Sequence, residues 1–181
     1  MMMKKNMAGV LLALCCVLTA AYPSHGDSVG GDEPLEGARL LAVGDLAPDW
    51  KLSDAEGRTH SLSEYRGKVV VLDFWATWCG VCSKVMPRME KLHRKYKDQG
   101  VAVFGLSSWE TGDPVAVMKK KNCTYGLLLK GEDVAPLYGV TILPAVCVIG
   151  VDGRVIYSQA GAEHKNLEEL IKQHLQAHGT T

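Results

Sequence analysis

A single apolar run constrains the fold more than any other feature of the sequence. The run KVVVLDFWA, residues 68–76, is rich in β-branched and aromatic residues and follows a glycine at Gly67. Such a run is typical of a strand that is buried on both faces, in the middle of a sheet covered by helices. We therefore predict that residues 68–76 form the central strand of an α/β domain.

The segments around this strand alternate between strand and helix. Before it, DWKLSDAEGRTHSLSEY predicts a β-hairpin followed by a helical turn. After it, the patterns predict an amphipathic helix over 82–99, a strand at VAVFGLSS, a helix over 113–121, a strand at YGLLL, a hairpin in AVCVIGVDGRVIYS and a helix over 166–177. The alternation implies a central mixed sheet with a parallel core, right-handed crossovers and helices on both faces.

The N-terminal segment has the composition of a targeting signal and not of a folded domain. Residues 1–26, MMMKKNMAGVLLALCCVLTAAYPSHG, place two lysines before an uncharged stretch that ends in small residues. This is the pattern of a secretory signal, and its apolar part is shorter than the roughly 20 residues that span a bilayer comfortably. We predict a signal peptide or signal anchor over 1–26, with lipid attachment at Cys15 or Cys16 as a further alternative, a flexible linker over 27–43 and one folded domain over 44–181.

Export and charge both narrow the classes of function. An exported protein lies in the periplasm or is anchored outside the cytoplasm, where disulfide bonds persist. The chain has 20 basic and 20 acidic residues, so its formal net charge is zero. Because no field of one sign attracts polyanions, we expect no nucleic-acid partner.

The motif WCGVC directly follows the central strand and offers three kinds of chemistry. A structural zinc site needs four ligands, and the other cysteines of the domain, Cys123 and Cys147, are far apart in sequence. A structural disulfide between Cys79 and Cys82 would close a very short loop, where a crosslink stabilises least. A catalytic dithiol has a positive reason: a helix that starts here lowers the pKa of the Cys79 thiol, and Cys82 can attack a mixed disulfide formed on Cys79. Cys123 and Cys147 are expected to be small buried residues, with a bond between them as the alternative.

Residues 44–177 resemble the thioredoxin superfamily, and within it the exported TlpA/ResA-like branch. The resemblance is carried by GKVVVLDFWATWCGVC and by the preceding hairpin DAEGRTHSLSEYRGK. It implies a thioredoxin-like fold and a redox-active disulfide between Cys79 and Cys82. It also implies that Asp73 is the buried acid of the family, that Pro87 kinks the active-site helix and that Pro144 follows a cis peptide opposite the dithiol.

Three residues depart from the pattern of this branch, and Leu143 among them changes the polarity of the face that would meet the substrate. Val81 replaces the usual proline between the cysteines, Leu143 replaces a threonine before Pro144, and Val85 replaces a glutamate of the active-site helix. We expect substrate contacts at Trp78, Gly80, Val81, Leu143 and Pro144.

Asp73 interrupts an otherwise apolar strand, which by itself predicts an unusual carboxyl group. Burial of an ionised carboxylate without a partner is unfavourable, so the pKa of Asp73 should be raised. A carboxylate of this kind can accept the proton of Cys82. The alternative is a structural carboxylate at a strand edge.

The motif and the resemblance together predict an exported thiol-disulfide oxidoreductase that reduces disulfides of other proteins, for example in cytochrome c maturation. We expect no cofactor and no metal, a monomer, protein thiol or disulfide substrates, and a membrane electron donor. One alternative is a thiol peroxidase, although Thr77 lies two residues before Cys79 and not three, as the peroxidase pattern PxxxTxxC requires. The other is a copper-binding assembly factor, which usually has CxxxC and a distant histidine.

Overall fold

The computed structural model describes residues 39–179 of the chain. The strands and α-helices in this part, in chain order, are β1 Lys51–Ser53, β2 Thr59–Ser61, β3 Val69–Trp75, α1 Met86–Tyr96, β4 Val101–Ser107, α2 Pro114–Lys120, β5 Gly126–Leu128, β6 Ala145–Ile149, β7 Val155–Ala160 and α3 Leu167–Ala177. Short 3₁₀ turns join several of them. Each predicted segment has its counterpart, with end points that differ by a few residues.

Five strands form one mixed sheet in the order β5-β4-β3-β6-β7. β3 is parallel to β4 and antiparallel to β6, while β4 and β5 are parallel and β6 and β7 antiparallel. The architecture is the thioredoxin-like fold expected from the sequence. Every residue of β3 is buried, which confirms it as the central strand.

The two faces of β3 contribute to two separate hydrophobic cores. Val69, Val71 and Trp75 belong to one core, and Val70, Leu72 and Phe74 belong to the other. This division follows from the period of two in a β-strand. The first core also contains both cysteines of the motif and the buried residues of α1 and α3.

The N-terminal hairpin β1–β2 forms a separate two-stranded sheet against the edge of the main sheet. Its turn is organised by Asp54, whose Oδ1 accepts hydrogen bonds from the backbone N–H groups of Glu56 (3.0 Å) and Arg58 (2.8 Å). The N–H of Leu129 donates to the carbonyl of Ser53 (2.9 Å), which joins the hairpin to the segment after β5.

The predicted signal segment, 1–26, and most of the predicted linker lie outside the described residues. Of that linker, residues 39–43 are described, and Leu40 and Leu41 pack against the second core. Within residues 39–179, no helix is long and apolar enough to cross a bilayer.

The helix after the motif starts later than the apolar spacing predicts. Cys82–Lys84 form a 3₁₀ turn, and α1 begins at Met86. Pro87 explains the change because it has no N–H to donate to a carbonyl four residues earlier. The backbone N–H of Arg88 instead donates three residues back, to Val85 (2.9 Å).

Candidate active site

The motif lies at the carboxyl end of the central strand. β3 ends at Trp75, and a turn carries the chain through Cys79 to the 3₁₀ turn that begins at Cys82. Cys79 and Cys82 form a disulfide bond. The structure therefore brings together the two cysteines that were predicted as the reactive pair.

The two sulfurs have different surroundings. Cys79 is 9% exposed and Cys82 is 1% exposed, so a partner molecule reaches Cys79 more easily. The backbone N–H of Cys82 points to the Sγ of Cys79 (3.2 Å). In the reduced protein, such a donor favours the thiolate of Cys79 over its thiol.

Asp73 lies on the same face of β3 as the dithiol. Val71 and Trp75, its neighbours two positions away, pack in the core that contains Cys79 and Cys82, and side chains alternate along a strand. Asp73 is completely buried, and neither carboxylate oxygen has a hydrogen-bond partner among the described residues. Burial raises the pKa of Asp73 from 3.8 to about 7.

Gly105 leaves room for two aromatic side chains beside Asp73. Gly105 is the partner of Asp73 in the parallel register of β3 and β4. A Cβ atom at Gly105 would lie 2.7 Å from Nε1 of Trp75 and 2.9 Å from Cε2 of Tyr125. Both aromatic residues carry buried polar atoms without partners in the described chain, namely Trp75 Nε1 and the Tyr125 hydroxyl. Among residues 39–179, no cation makes a hydrogen bond with the buried acid.

The loop before β6 lies at the same end of the sheet as the motif. Ala145 pairs with Phe74 in the antiparallel register, so Pro144 lies beside the end of β3. The Leu143–Pro144 peptide is cis, as the resemblance implied. Pro144 is buried and Leu143 is half-buried, so these two residues expose only a small surface to a substrate.

Exposed apolar side chains lie beside Cys79. Trp78 is 56% exposed and Val81 is 48% exposed, and Gly80 between the cysteines is also exposed. Trp75, by contrast, is a core residue. The structure therefore places Trp78, Gly80 and Val81, three of the predicted substrate contacts, on the surface beside Cys79.

Glu110, in the loop after β4, binds the turn that leads to Cys79. This contact was not predicted from the sequence. The carboxylate of Glu110 accepts hydrogen bonds from the Thr77 backbone N–H (3.0 Å), the Thr77 hydroxyl (2.5 Å) and the Ser107 hydroxyl (2.8 Å). The indole N–H of Trp78 donates to the carbonyl of Trp109 (2.8 Å). A signal was present, because the ends of parallel neighbours β3 and β4 meet, and Glu110 comes just after β4.

Cys123 and Cys147 are both free. Burial raises the pKa of the Cys147 thiol to about 12 and also raises the pKa of the half-buried Cys123 thiol. The expectation of two small, mostly buried residues agrees with this, and the alternative of a bond between them does not. Among residues 39–179, no three His, Cys, Asp or Glu side chains form a group that could hold a metal ion.

Comparison with protein families agrees with this architecture. Residues 43–158 match the model of the AhpC/TSA family. The chain is 39% identical over 142 residues to thiol-disulfide oxidoreductase ResA of Geobacillus thermodenitrificans, covering 76% of this chain and 78% of the relative. It is 33% identical over 176 residues to the protein of the same name from Bacillus cereus, covering 94% of this chain and 98% of the relative.

Solved structures show the same fold. A thiol:disulfide interchange protein described as DsbE, from Chlorobium tepidum, superposes with a TM-score of 0.66 at 31% identity and covers 76% of this chain and 98% of its own. The thioredoxin domain of a thiol-disulfide oxidoreductase from Bacteroides vulgatus has a TM-score of 0.66 at 24% identity, covering 74% of this chain and 97% of its own, which shows the fold alone.

Proposed function

Since this chain belongs to the AhpC/TSA family and is a thiol-disulfide oxidoreductase with a thioredoxin-like fold, we propose that it reduces disulfide bonds of other proteins through Cys79 and Cys82. One observation carries this proposal. The two cysteines form a disulfide after the end of the central strand, and Cys79 is more exposed than Cys82. This difference in exposure suits a pair in which the Cys79 thiolate attacks a substrate and the Cys82 thiolate then releases it.

The reaction has two thiol–disulfide exchanges. The Cys79 thiolate attacks one sulfur of the substrate disulfide, the substrate S–S bond breaks, and its other sulfur leaves as a thiolate. Cys82 then loses its proton and attacks the Cys79 sulfur, which forms the Cys79–Cys82 disulfide and releases the second substrate thiolate. Two electrons pass to the substrate, and a dithiol on another protein must supply two electrons before the next turnover.

Asp73 is the proposed proton acceptor for Cys82. It lies on the face of β3 that contains the dithiol, and its buried carboxyl group has a pKa raised to about 7. A base with a pKa near the working pH is effective because it is partly ionised and still accepts protons strongly. No other described side chain in this core combines ionisation near neutral pH with a position on the central strand.

The finer parts of the function rest on the sequence. Residues 1–26 have the pattern of a secretory signal or anchor, which supports an exported or membrane-anchored protein and a membrane dithiol donor. The resemblance to the TlpA/ResA-like branch supports substrates in cytochrome c maturation. These assignments require protein substrates that lie outside the cytoplasm.

A trapping experiment tests the proposal. Cys82→Ser leaves Cys79 able to attack but removes the group that releases the substrate, so it should accumulate mixed disulfides in intact cells. Cys79→Ala should form none and should fail to reduce a model protein disulfide. Cys123→Ala is the matched control and should behave like the unchanged protein. Equal trapping by Cys82→Ser and Cys79→Ala would contradict the assigned roles.

The peroxidase alternative makes a separate prediction. A thiol peroxidase, reduced beforehand, consumes hydrogen peroxide stoichiometrically and rapidly, whereas a disulfide reductase oxidises much faster with a protein disulfide than with peroxide. Stopped-flow measurement of Trp fluorescence with each oxidant compares the two rates in the same preparation. The copper-binding alternative is tested by titration of the reduced protein with Cu(I).

A further inference from the structure

A basic groove runs between α1 and the start of α3. On its α1 side, Arg88, Lys91 and Lys95 are spaced by three and four residues, which places them on one face of α1, and Lys84 lies in the 3₁₀ turn just before this helix. The groove has a volume of about 750 Å³, and its cations are Lys84, Arg88, Lys91, Lys95, Lys165 and Lys172. Glu168 and Glu169 line the groove with them, and Lys165 pairs with Glu163 just outside it (3.1 Å), in a chain of zero net charge. The groove is therefore a local concentration of positive charge.

One end of the groove already binds a carboxylate of this chain. Glu168 accepts hydrogen bonds from Lys91 (2.9 Å) and Lys95 (2.6 Å), and these lysines lower its pKa. At the other end, Lys84 and Arg88 make no ion pair within residues 39–179. Lys91 and Lys95 thus show how the groove binds a carboxylate, while Lys84 and Arg88 have no carboxylate partner among the described residues.

The end with the free cations is the end beside the dithiol. Lys84 follows Cys82 by two residues in the same 3₁₀ turn. On the other wall, the N–H of Gly161 donates to the carbonyl of Pro144 (2.8 Å), so the loop that leads to Lys165 is tied to the Pro144 loop. This end of the groove therefore begins two residues after Cys82, at the 3₁₀ turn that carries the second cysteine of the dithiol.

The floor of the groove is apolar with one buried histidine. Leu92 and Leu167 are buried in the first core and line the groove. His164 is buried, its Nδ1 lies 3.0 Å from the Tyr157 hydroxyl, and burial together with the charge of Arg88 lowers its pKa. The positive charge at neutral pH therefore comes from lysine and arginine.

We propose that this groove binds an acidic segment of the substrate protein next to the cysteine that Cys79 attacks. The inference rests on the proposed function, and it adds the substrate class: proteins with carboxylates flanking the disulfide. Unpaired Lys84 and Arg88 supply the charge complementarity, which steers encounter and selects partners. A concave groove between two helices fits the side chains of a polypeptide better than the flat surface of a bilayer.

A pair of peptides tests the proposal with the full-length protein. Each peptide has one cysteine, linked by a disulfide to a chromogenic thiol, with three Glu residues on each side in one peptide and three Gln residues in the other. Reduced protein should release the thiol from the Glu peptide about tenfold faster than from the Gln peptide at low salt. The ratio should approach one at about 1 M salt because the charges are then screened.

Charge reversal locates the effect. In the double variant Lys84→Glu/Arg88→Glu, the ratio of the two rates should fall to one or below. The matched control is Lys119→Glu/Lys120→Glu, which changes the net charge equally on α2 and should keep the ratio of the unchanged protein. A ratio of one in the unchanged protein, or equal loss in both double variants, would overturn the proposal.

A binding measurement separates this proposal from the proposed function. Oxidised protein cannot react, so fluorescence anisotropy with cysteine-free Glu and Gln peptides reports on the groove alone. If the oxidised protein binds the Glu peptide preferentially but the reduced protein reduces neither disulfide-linked peptide, the proposed function is wrong and the groove proposal stands. Reduction of both peptides at equal rates, without preferential binding, would reject the groove alone. If phosphatidylglycerol vesicles bind the unchanged protein but not Lys84→Glu/Arg88→Glu, and the peptides show no preference, the groove is a membrane surface and our proposal is wrong.

Discussion

The carboxylate of Glu110 holds Thr77, two residues before Cys79, through both the backbone N–H and the hydroxyl of that threonine. It also accepts a hydrogen bond from the Ser107 hydroxyl, at the end of β4. The carboxylate thereby links two neighbouring strand ends at the entrance to the dithiol. This contact defines where the reactive turn leaves the sheet.

Glu110→Gln should destabilise the oxidised protein. The amide keeps one acceptor oxygen but presents an NH₂ group to donors that Glu110 had paired. Because these donors are only partly buried, we expect the free energy of unfolding to fall by about 1 kcal/mol, the lower end of the cost of an unpaired buried donor. Urea unfolding measures the change. Glu169→Gln is the control, because Glu169 is exposed, accepts one hydrogen bond from the Gln173 amide (3.1 Å) and makes a long ion pair with Lys172 (3.6 Å). If both variants lose the same stability, the link to Thr77 contributes nothing specific.

Asp73→Asn should change how stability depends on pH. The native pKa of Asp73 is about 7 and its ordinary value is 3.8, so between these values the native state keeps a proton that the unfolded state has lost. The free energy of unfolding should therefore fall as pH rises from about 4 to 7, by on the order of 4 kcal/mol at 1.36 kcal/mol per pKa unit. The Asn variant lacks this contribution and should be the more stable protein at pH 8. Urea unfolding at pH 5 and pH 8, with Asp98→Asn as the exposed control, checks this prediction.

The same substitution should slow one step of the reaction. If Asp73 accepts the Cys82 proton, Asp73→Asn should retard release of the mixed disulfide by on the order of 10²-fold while attack by Cys79 stays nearly unchanged. In the unchanged protein, the release rate should rise with pH up to about 7, as the carboxyl group ionises. Stopped-flow kinetics of the two steps measure this directly. Release at the same rate in both proteins from pH 6 to pH 8 would make Asp73 a structural residue.

Gly105→Ala should destabilise the domain by overpacking. The new methyl group would lie 2.7 Å from Nε1 of Trp75 and 2.9 Å from Cε2 of Tyr125, and both rings are buried. We expect a loss of about 1–3 kcal/mol in the free energy of unfolding. Gly80→Ala is a matched control, because a Cβ atom there meets nothing within 4 Å. Unchanged stability of Gly105→Ala would mean that the two rings can move apart freely.

The cysteines of the reduced domain should react in a fixed order with iodoacetamide near neutral pH. Cys79 should react first, because it is the more exposed cysteine of the pair and the Cys82 N–H favours its thiolate. Cys147 should react last, because burial raises its pKa to about 12. Peptide mass spectrometry of samples quenched at successive times gives the order. Labelling of Cys82 before Cys79 would reverse the roles assigned to the two sulfurs.

Local sequence patterns were sufficient for the α/β class, the central strand and the dithiol, while the thioredoxin-like fold was predicted from the family resemblance. The central strand follows from a continuous apolar run, and the motif CGVC is contiguous with it, so their relation needs no long-range contact. The raised pKa of Asp73 follows from a carboxylate placed in a strand that must be buried. The late start of α1 was missed because apolar spacing continues through the 3₁₀ turn, where only the backbone pattern changes.

The tertiary structure decided the features that join distant parts of the chain. Glu110 and Thr77 are 33 positions apart, and Glu168 is 77 positions from Lys91. The local sequence around these residues does not predict either contact. The first depends on the register of β3 and β4, and the second depends on how α1 and α3 pack. The close approach of Trp75 and Tyr125 over Gly105 has the same origin. Sequence periodicity reports which face of an element is buried, whereas the position of one element against another is set by packing between segments that are remote along the chain.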